Sequence, residues 1–417
     1  EILTELEGST LEALAIPAFR RLCIGRYLFS LAIFAQMIAR GALAKNLEGS
    51  NAALGAVTLA FGLTGLLTTP IGGVVADRFP KRTILVISTT LLFLSSLGIA
   101  IAVEFEFVTF WMLIVASAVQ SAGFSGLLPA RMAFTAELVG PEKLGNGVVL
   151  SQISMNLNRV IGPVVAGVLI GVPSLGIGSV YWVSTFVTAV GGLFFMGLPN
   201  GSPSFRSFPG SAIADLRDGL RYGFKSWPLP LLLGTSALAL LVGFPYVAFL
   251  PSVAEDLFGT GDSGFAWLSA VGAAGGLAAA MFIARKAHGR TAWRIQNVAV
   301  VGFGIGIVAL GLAPNFAAAM FVMCGLGAAT SAFQSMNSTL TLAISRPEYH
   351  GRMQSLLQLG FNFFGVAALP LGICADRVGL RQTLVVMGAL VVVIGLCSSA
   401  IYKVKVPLTE PLQTAQG

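Results

Sequence analysis

Long apolar runs separated by short polar ones dominate the chain. A bilayer-crossing α-helix needs roughly 20 consecutive apolar residues. On that measure twelve runs qualify, near 20–44, 53–76, 83–103, 107–130, 146–171, 176–198, 229–254, 264–285, 294–313, 316–344, 353–374 and 380–402. The polar stretches between them are short, with one exception at 200–227. It opens with turn residues, Asn200 to Gly210. In the part that follows, Ile213, Leu216, Leu220 and Phe224 recur at helical spacing, with Arg217, Asp218, Arg221 and Lys225 on other faces. This predicts an amphipathic helix lying on the cytoplasmic membrane surface and joining two blocks of six segments. The expected division is an N-terminal segment 1–19, a six-helix bundle 20–198, a linker 199–228, a second six-helix bundle 229–402 and a tail 403–417. The expected fold class is an all-α polytopic membrane protein with twelve transmembrane helices in two pseudo-symmetric six-helix bundles.

Composition supports the membrane assignment: 55% of residues are hydrophobic and 10% charged, against roughly 25% charged in a soluble domain. The net charge of +7 does not point to nucleic acid, because the cations are scattered and gather in alternate loops. With the N-terminus inside, Arg78, Lys81, Arg82, Lys143, Arg206, Arg217, Arg221, Lys225, Arg285, Lys286, Arg290, Arg346 and Arg352 fall on the cytoplasmic side. Lys45, Arg377 and Arg381 fall outside. That bias predicts both termini in the cytoplasm. Trp111, Trp182 and Trp267 near outer helix ends, with Trp227 and Trp293 at inner ends, suit an aromatic belt. Cys23, Cys324, Cys374 and Cys397 lack metal-type spacing and read as small core hydrophobes. The acidic opening, Glu1 to Glu12, has no basic region and is not expected to be a signal peptide; a first residue other than Met suggests a trimmed chain.

The two blocks show a repeat. Pro141-Glu142 recurs as Pro347-Glu348, Gly145 as Gly351, Leu150 as Leu356, Gln152 as Gln358 and Asn156 as Asn362, each pair 206 residues apart. Segments 5 and 11 are therefore equivalent, as in transporters built from parallel repeats.

No enzyme site emerges. His288 and His350 stand in loops without a nucleophile or ligand partner, no Walker sequence exists, and neither cofactor nor metal is implied. Gly272/Gly276 and Gly302/Gly306 have the spacing of close helix packing. Polar groups inside the bilayer are functional candidates by default. Segment 1 places Arg26, Gln36 and Arg40 on one face, and segment 4 offers Ser117, Gln120 and Ser121. In segment 5, Gln152, Asn156, Arg159 and Pro163 share a face. Segment 10 supplies Ser331, Gln334, Asn337, Ser338 and Thr341, and segment 11 Gln358 and Asn362. Each amide or hydroxyl is either helix–helix glue or cavity lining. Arg159, near mid-membrane, favours a cavity, since it needs water, a carboxylate or an anionic ligand. No Asp or Glu lies near the middle of any segment; Glu137, Glu255, Asp256 and Asp262 are at ends. The interior should be net positive and suit anionic or neutral substrates. The substrate-binding candidates are Gln36, Arg40, Gln120, Asn156, Arg159, Gln334, Asn337, Gln358 and Asn362.

Between segments 2 and 3 the chain reads G-G-V-V-A-D-R-F-P-K-R, Gly72 to Arg82. Gly73 permits close helix approach, Asp77 can complement a helix N-terminus, and Arg78, Lys81 and Arg82 can bridge to other helices. The stretch resembles the loop G-x-x-x-D-R-x-x-R/K-R/K of the major facilitator superfamily, with Pro80 in place of the usual glycine. The similarity extends to Pro129-Ala130-Arg131-x-Ala133, Gly145-Asn146-Gly147 through Arg159 to Pro163, Asp215 to Tyr222, and His350 to Leu356. These blocks resemble the bacterial branch containing the enterobactin exporter and macrolide-efflux-like proteins. The resemblance implies alternating access in a bacterial cytoplasmic membrane, by a monomer exchanging a small-molecule substrate against protons. It assigns conformational roles to Gly73, Asp77, Arg78, Lys81, Arg82, Arg131, Glu137, Gly162 and Pro163. The run Gly162-Pro163-x-x-Ala166-Gly167 looks like the antiporter motif, whereas Ser117 stands where many proton antiporters carry arginine. Siderophore or drug export is the first expectation, lysophospholipid movement the second, and a non-transporting receptor or scaffold the third. A second Asp-Arg run, Ala375 to Arg381, falls on the outer side; the repeat equivalent of the first is 284–290, which has lost the Asp.

Overall fold

A computed structural model of the chain describes residues 13–172, 174–201, 212–284, 289–346 and 349–405. Inside those helices the side chains at 70, 72–74, 76–78, 126–133, 141–146, 148–149, 152–153, 156, 159–160, 212–216, 284, 289–290, 351, 354–355, 358, 361 and 403–405 lie outside the described set. The acidic opening 1–12, the start of the linker, His288, most of 284–290, Pro347-Glu348 and the last twelve residues lie outside it as well.

The described chain is nearly all helix. After a 3-10 turn at Ala13–Ala15 come α1 (Pro17–Glu48), α2 (Asn51–Arg78), α3 (Lys81–Glu104), α4 (Phe110–Gly171) and α5 (Gly176–Met196). They are followed by α6 (Ala212–Lys225), α7 (Leu229–Gly243), α8 (Tyr246–Ser252) and a π-helical turn (Val253–Leu257). The chain ends with α9 (Gly261–Ala284), α10 (Gly289–Leu312), α11 (Phe316–Ile344), α12 (His350–Val378) and α13 (Leu380–Lys405). Among the described residues nine helical stretches are long and apolar enough to cross a membrane. Two shorter apolar helices, Phe110–Ser125 and Ile161–Gly171, fall within predicted segments 4 and 5.

Local chemistry sets the boundaries. Pro17 opens α1, where a missing N–H costs nothing. Gly49, at φ 68°, closes it by donating its N–H to Lys45 O, the left-handed cap that glycine adopts without a Cβ penalty. The loop expected at 131–145 is helical on both sides of a single break at Gly140 (φ 72°, ψ 172°). Gly140 precedes Pro141, and a pre-proline residue is pushed out of the helical region. Predicted segment 229–254 is likewise divided, into α7, α8 and the π turn. Pro245 and Pro251 each remove a backbone donor there.

The chain forms two compact units. Unit 1 comprises Glu1–Gly49, Ala56–Ile213 and Gly261–Ala266; unit 2 comprises Ser50–Gly55, Ala214–Thr260 and Trp267–Gly417. In unit 1, α1 packs on α4 and α5, and α3 on the same two helices. In unit 2, α7 packs on α12 and α13, and α10 on α11 and α13. These neighbour relations repeat in the order that the 206-residue offset dictates. Close helix approach relies on absent side chains: a Cβ at Gly25 would lie 2.6 Å from Phe195, and one at Gly304 2.7 Å from Gly388 O. Gly272 and Gly276 face α11 residues Met323 and Gly327, as their spacing predicted.

Two sequence expectations are corrected. Trp111, Trp182, Trp227 and Trp267 are exposed, but Trp293 is buried and stacks on Tyr402 with centroids 4.3 Å apart. It is a core residue of unit 2, not a belt residue. Cys324, Cys374 and Cys397 are exposed and Cys23 is half-buried; on apolar helices such small thiols sit outward without penalty, so they are not core hydrophobes.

Candidate functional site

The strongest concentration of buried polar groups in unit 1 is built by α1, α3 and α4. Arg40 is 5% exposed, Gln36 0% and Gln120 1%. The Arg40 guanidinium donates from Nη1 to Ser117 Oγ at 2.9 Å and from Nη2 to Gln120 Oε1. Gln120 Nε2 in turn donates to Gln36 Oε1, and Gln36 Nε2 to Ser96 Oγ at 2.6 Å. Ser96 and Ser117 pass their own protons to Leu92 O and Leu113 O within their helices, leaving the oxygens free to accept. Buried Tyr181 of α5 adjoins Arg40. Nε of Arg40 has no hydrogen-bond partner among the described residues.

Arg26, about three turns nearer the start of α1 than Gln36, makes a separate contact. It is 2% exposed and donates to Ser151 Oγ of α4. Asn158 Nδ2 donates to Tyr27 O at 2.9 Å nearby. Among the described residues no Asp or Glu is buried. Desolvating a guanidinium costs several kcal/mol, and neutral amide and hydroxyl oxygens compensate for it less than a carboxylate does. The interior of unit 1 therefore carries positive charge that no described side chain balances.

Among the described residues the buried polar groups of unit 2 are neutral. Buried Asn337 of α11 accepts from Gln296 Nε2 of α10 at 3.3 Å, and Thr235 of α7 donates to Ser398 of α13 at 2.9 Å. Asn362 is buried and Gln334 half-buried. Gln296 was not among the sequence candidates, although a lone amide in an apolar run carries the same signal as Asn337. Gln36, Arg40 and Gln120 are brought together, while Gln296 and Asn337 form a pair. The side chains of Asn156, Arg159 and Gln358 lie outside the described set.

Of the residues with expected conformational roles, Lys81 and Glu137 meet. Lys81 opens α3, is 3% exposed, and its Nζ lies 2.7 Å from Glu137 Oε2. A cation at a helix N-terminus opposes the helix dipole, and Glu137 offsets that. Arg82 donates from its backbone N to Asn200 O at 3.3 Å and from Nη1 to Asn200 Oδ1 at 3.1 Å. A Cβ at Gly162 would lie 2.6 Å from Phe34 Cβ, so α4 and α1 can pass there only with glycine; Pro163 is half-buried beside it. The side chains of Asp77, Arg78 and Arg131, and the surroundings of Gly73, lie outside the described set.

The linker helix α6 is anchored to the rest of unit 2. Asp218 Oδ2 accepts from Arg352 Nη1 at 2.6 Å, Tyr222 stacks on Tyr349 with centroids 3.9 Å apart, and Tyr222 Oη accepts from Arg346 N at 3.0 Å. Arg352 also lies over the Tyr349 ring at 5.1 Å. Two of the sequence blocks that carry the family resemblance, at 215–222 and 350–356, are thus contact partners.

Comparison with known proteins agrees with this architecture. An uncharacterized MFS-type transporter, YfiS of Bacillus subtilis, is 25% identical over 84% of this chain and 84% of its own. Macrolide efflux protein A of Streptococcus pyogenes is 22% identical over 81% of this chain and 84% of its own. The solved structure of the nucleoside transporter NupG superposes with a TM-score of 0.69 at 16% identity, covering 93% of this chain and 99% of that one; at that identity the likeness concerns the fold. Residues 22–368 match the family model described as Major Facilitator Superfamily, and the chain belongs to that superfamily of transporters.

Proposed function

We propose that the protein is a proton-coupled exporter of an amphipathic anionic or neutral small molecule, of drug or siderophore type. It works by alternating access through twelve membrane crossings in a bacterial cytoplasmic membrane, as a monomer with both termini in the cytoplasm. The observation that carries this reading is the charge of unit 1: two buried arginines and no buried carboxylate among the described residues. A transporter of cationic drugs would need a buried acid to pair with its cargo. The macrolide efflux relative supports the direction of transport.

In this reading the Gln36–Arg40–Gln120–Ser117 network sets the charge of the interior. Asn156, Arg159, Gln334, Asn337, Gln358 and Asn362 are the polar groups that meet substrate. Gly73, Asp77, Arg78, Lys81, Arg82 and Arg131 serve the cytoplasmic closure, with Glu137 holding Lys81 and with Gly162 and Pro163 shaping the passage of α4 over α1. Lacking a mid-membrane acid, proton coupling uses peripheral acids or the substrate itself.

Purified protein in liposomes, with an imposed pH gradient and an internal pH dye, tests the proposal. Proton flux is expected on adding anionic siderophores or neutral drugs, and is expected to vanish in Asp77→Asn. Absence of proton flux together with movement of labelled lysolipid would reject antiport and assign lipid transport.

A further inference from the structure

The second Asp-Arg run, Ala375 to Arg381, has a structural partner within unit 2. Asp376 lies two residues before the end of α12. There a carboxylate opposes the dipole of its own helix, so local helix stability does not explain it. Both of its oxygens are directed at another helix start. Oδ1 accepts from Asn51 N and from Asn51 Nδ2, and Oδ2 accepts from Ala52 N, all at 2.9 Å. Ser50 Oγ accepts from Ala53 N at 3.2 Å. The first three backbone donors of α2, orphaned by helix geometry, are therefore satisfied, two of them by a carboxylate from a position 325 residues away in sequence.

The backbones approach as closely as the hydrogen bonds require. A Cβ at Gly55 would lie 2.7 Å from Leu369 Cα, and one at Gly372 would lie 2.8 Å from Asn51 C. Asn51, Ala53 and Leu54 are buried, whereas Asp376 keeps an exposed face. The segment fastened in this way, 50–55, belongs to unit 2, while α2 from Ala56 onward belongs to unit 1. One helix thus changes unit at the residue where the two glycine contacts end. In unit 1 the counterpart at 261–266 meets α1 through exposed side chains, Asn46 Nδ2 donating to Asp262 Oδ2 at 3.2 Å.

We propose that Asp376 is a releasable latch: it clamps the first turn of α2 to the end of α12 in one state of the transport cycle and lets it go in the other. The proposal rests on the alternating-access reading above. The carboxylate suits this task because its bonds to backbone N–H groups are charge-assisted. Its exposed face lets water take over those bonds when the helices part, so release leaves no buried charge behind.

The test uses the full chain in proteoliposomes, with Cys23, Cys324, Cys374 and Cys397 replaced by alanine. A reporter thiol is introduced by Ala53→Cys, at a site 7% exposed, and its labelling by a membrane-impermeant maleimide is timed. No substrate is needed, so failure of the exporter reading does not blur the result. With Asp376 intact, labelling is slow. Asp376→Asn is expected to speed it about fivefold, the population shift that loss of a helix cap brings, and Asp376→Glu to restore part of the protection. If Asp376→Asn does not fold, Asn51→Ala removes one of the three bonds and is expected to speed labelling about twofold. Unchanged labelling in the folded variant, with a lowered melting temperature alone, would make Asp376 a static cap and overturn the latch.

Discussion

The two units repeat their helix packing but not their interior chemistry. In unit 1 the polar core centres on guanidinium groups: Arg40 is held by Ser117 and Gln120, and Arg26 by Ser151. In unit 2 the corresponding core is neutral among the described residues, with Gln296 on Asn337 and Thr235 on Ser398. The 206-residue offset that aligns the repeats carries Arg40 to Tyr246, also buried and adjoining Thr330. Packing is preserved because small residues at helix crossings leave room for only a few arrangements. Charge has diverged because each buried polar group needs only its own partner. Among the described residues the difference between the two interiors is therefore electrostatic, with the buried guanidinium groups in unit 1.

The largest test of that comparison is Arg40→Met. Transport is expected to fall about 100-fold, close to 3 kcal/mol in activation free energy. The melting temperature should hold or rise, since the substitution removes a buried charge that no described carboxylate balances. Transport assays paired with thermal unfolding in detergent check both parts; a large fall in stability with normal transport by the surviving protein would make Arg40 structural. A smaller effect is expected at Lys81–Glu137, where Glu137 is partly exposed. A double-mutant cycle with Lys81→Met and Glu137→Gln should give a coupling of about 1 kcal/mol or less. At the neutral Gln296–Asn337 pair of unit 2, Gln296→Leu should cost about 0.6 kcal/mol, the average for a hydrogen bond between membrane helices, and leave transport within about twofold. The smallest change is Asp218→Ala. Its pair with Arg352 is partly solvated and contributes a few tenths of a kcal/mol, so the expected outcome is faster proteolysis of the linker at unaltered melting temperature.

Much of the fold was legible in the sequence because membrane helices announce themselves by length and apolarity alone. The nine apolar stretches among the described residues, the linker helix and the repeated packing all have sequence signatures. Boundaries were less legible where proline and glycine acted inside a helical run: Gly140 breaks α4 without a loop, and Pro245 separates α7 from α8 within one predicted segment. The candidate site was half legible. Gln36, Arg40 and Gln120 stood out as polar groups in apolar runs, but Ser96, Ser151 and Tyr181 did not, since hydroxyl residues are common in such runs whether or not they meet a charge.

The sequence by itself determined the membrane class, the helical content, the repeat and the deficit of interior carboxylates. These follow from local composition and spacing, which need no partner to be read. Tertiary structure alone decided which polar groups are shared. It joined Arg40 to Gln120 across 80 positions and placed Asp376 on the start of α2 across 325. It also turned Trp293 from a surface anchor into a core residue stacked on Tyr402. Such pairings depend on how helices cross, and a crossing is fixed by side-chain fit between residues far apart in the chain, which periodicity along one helix does not encode.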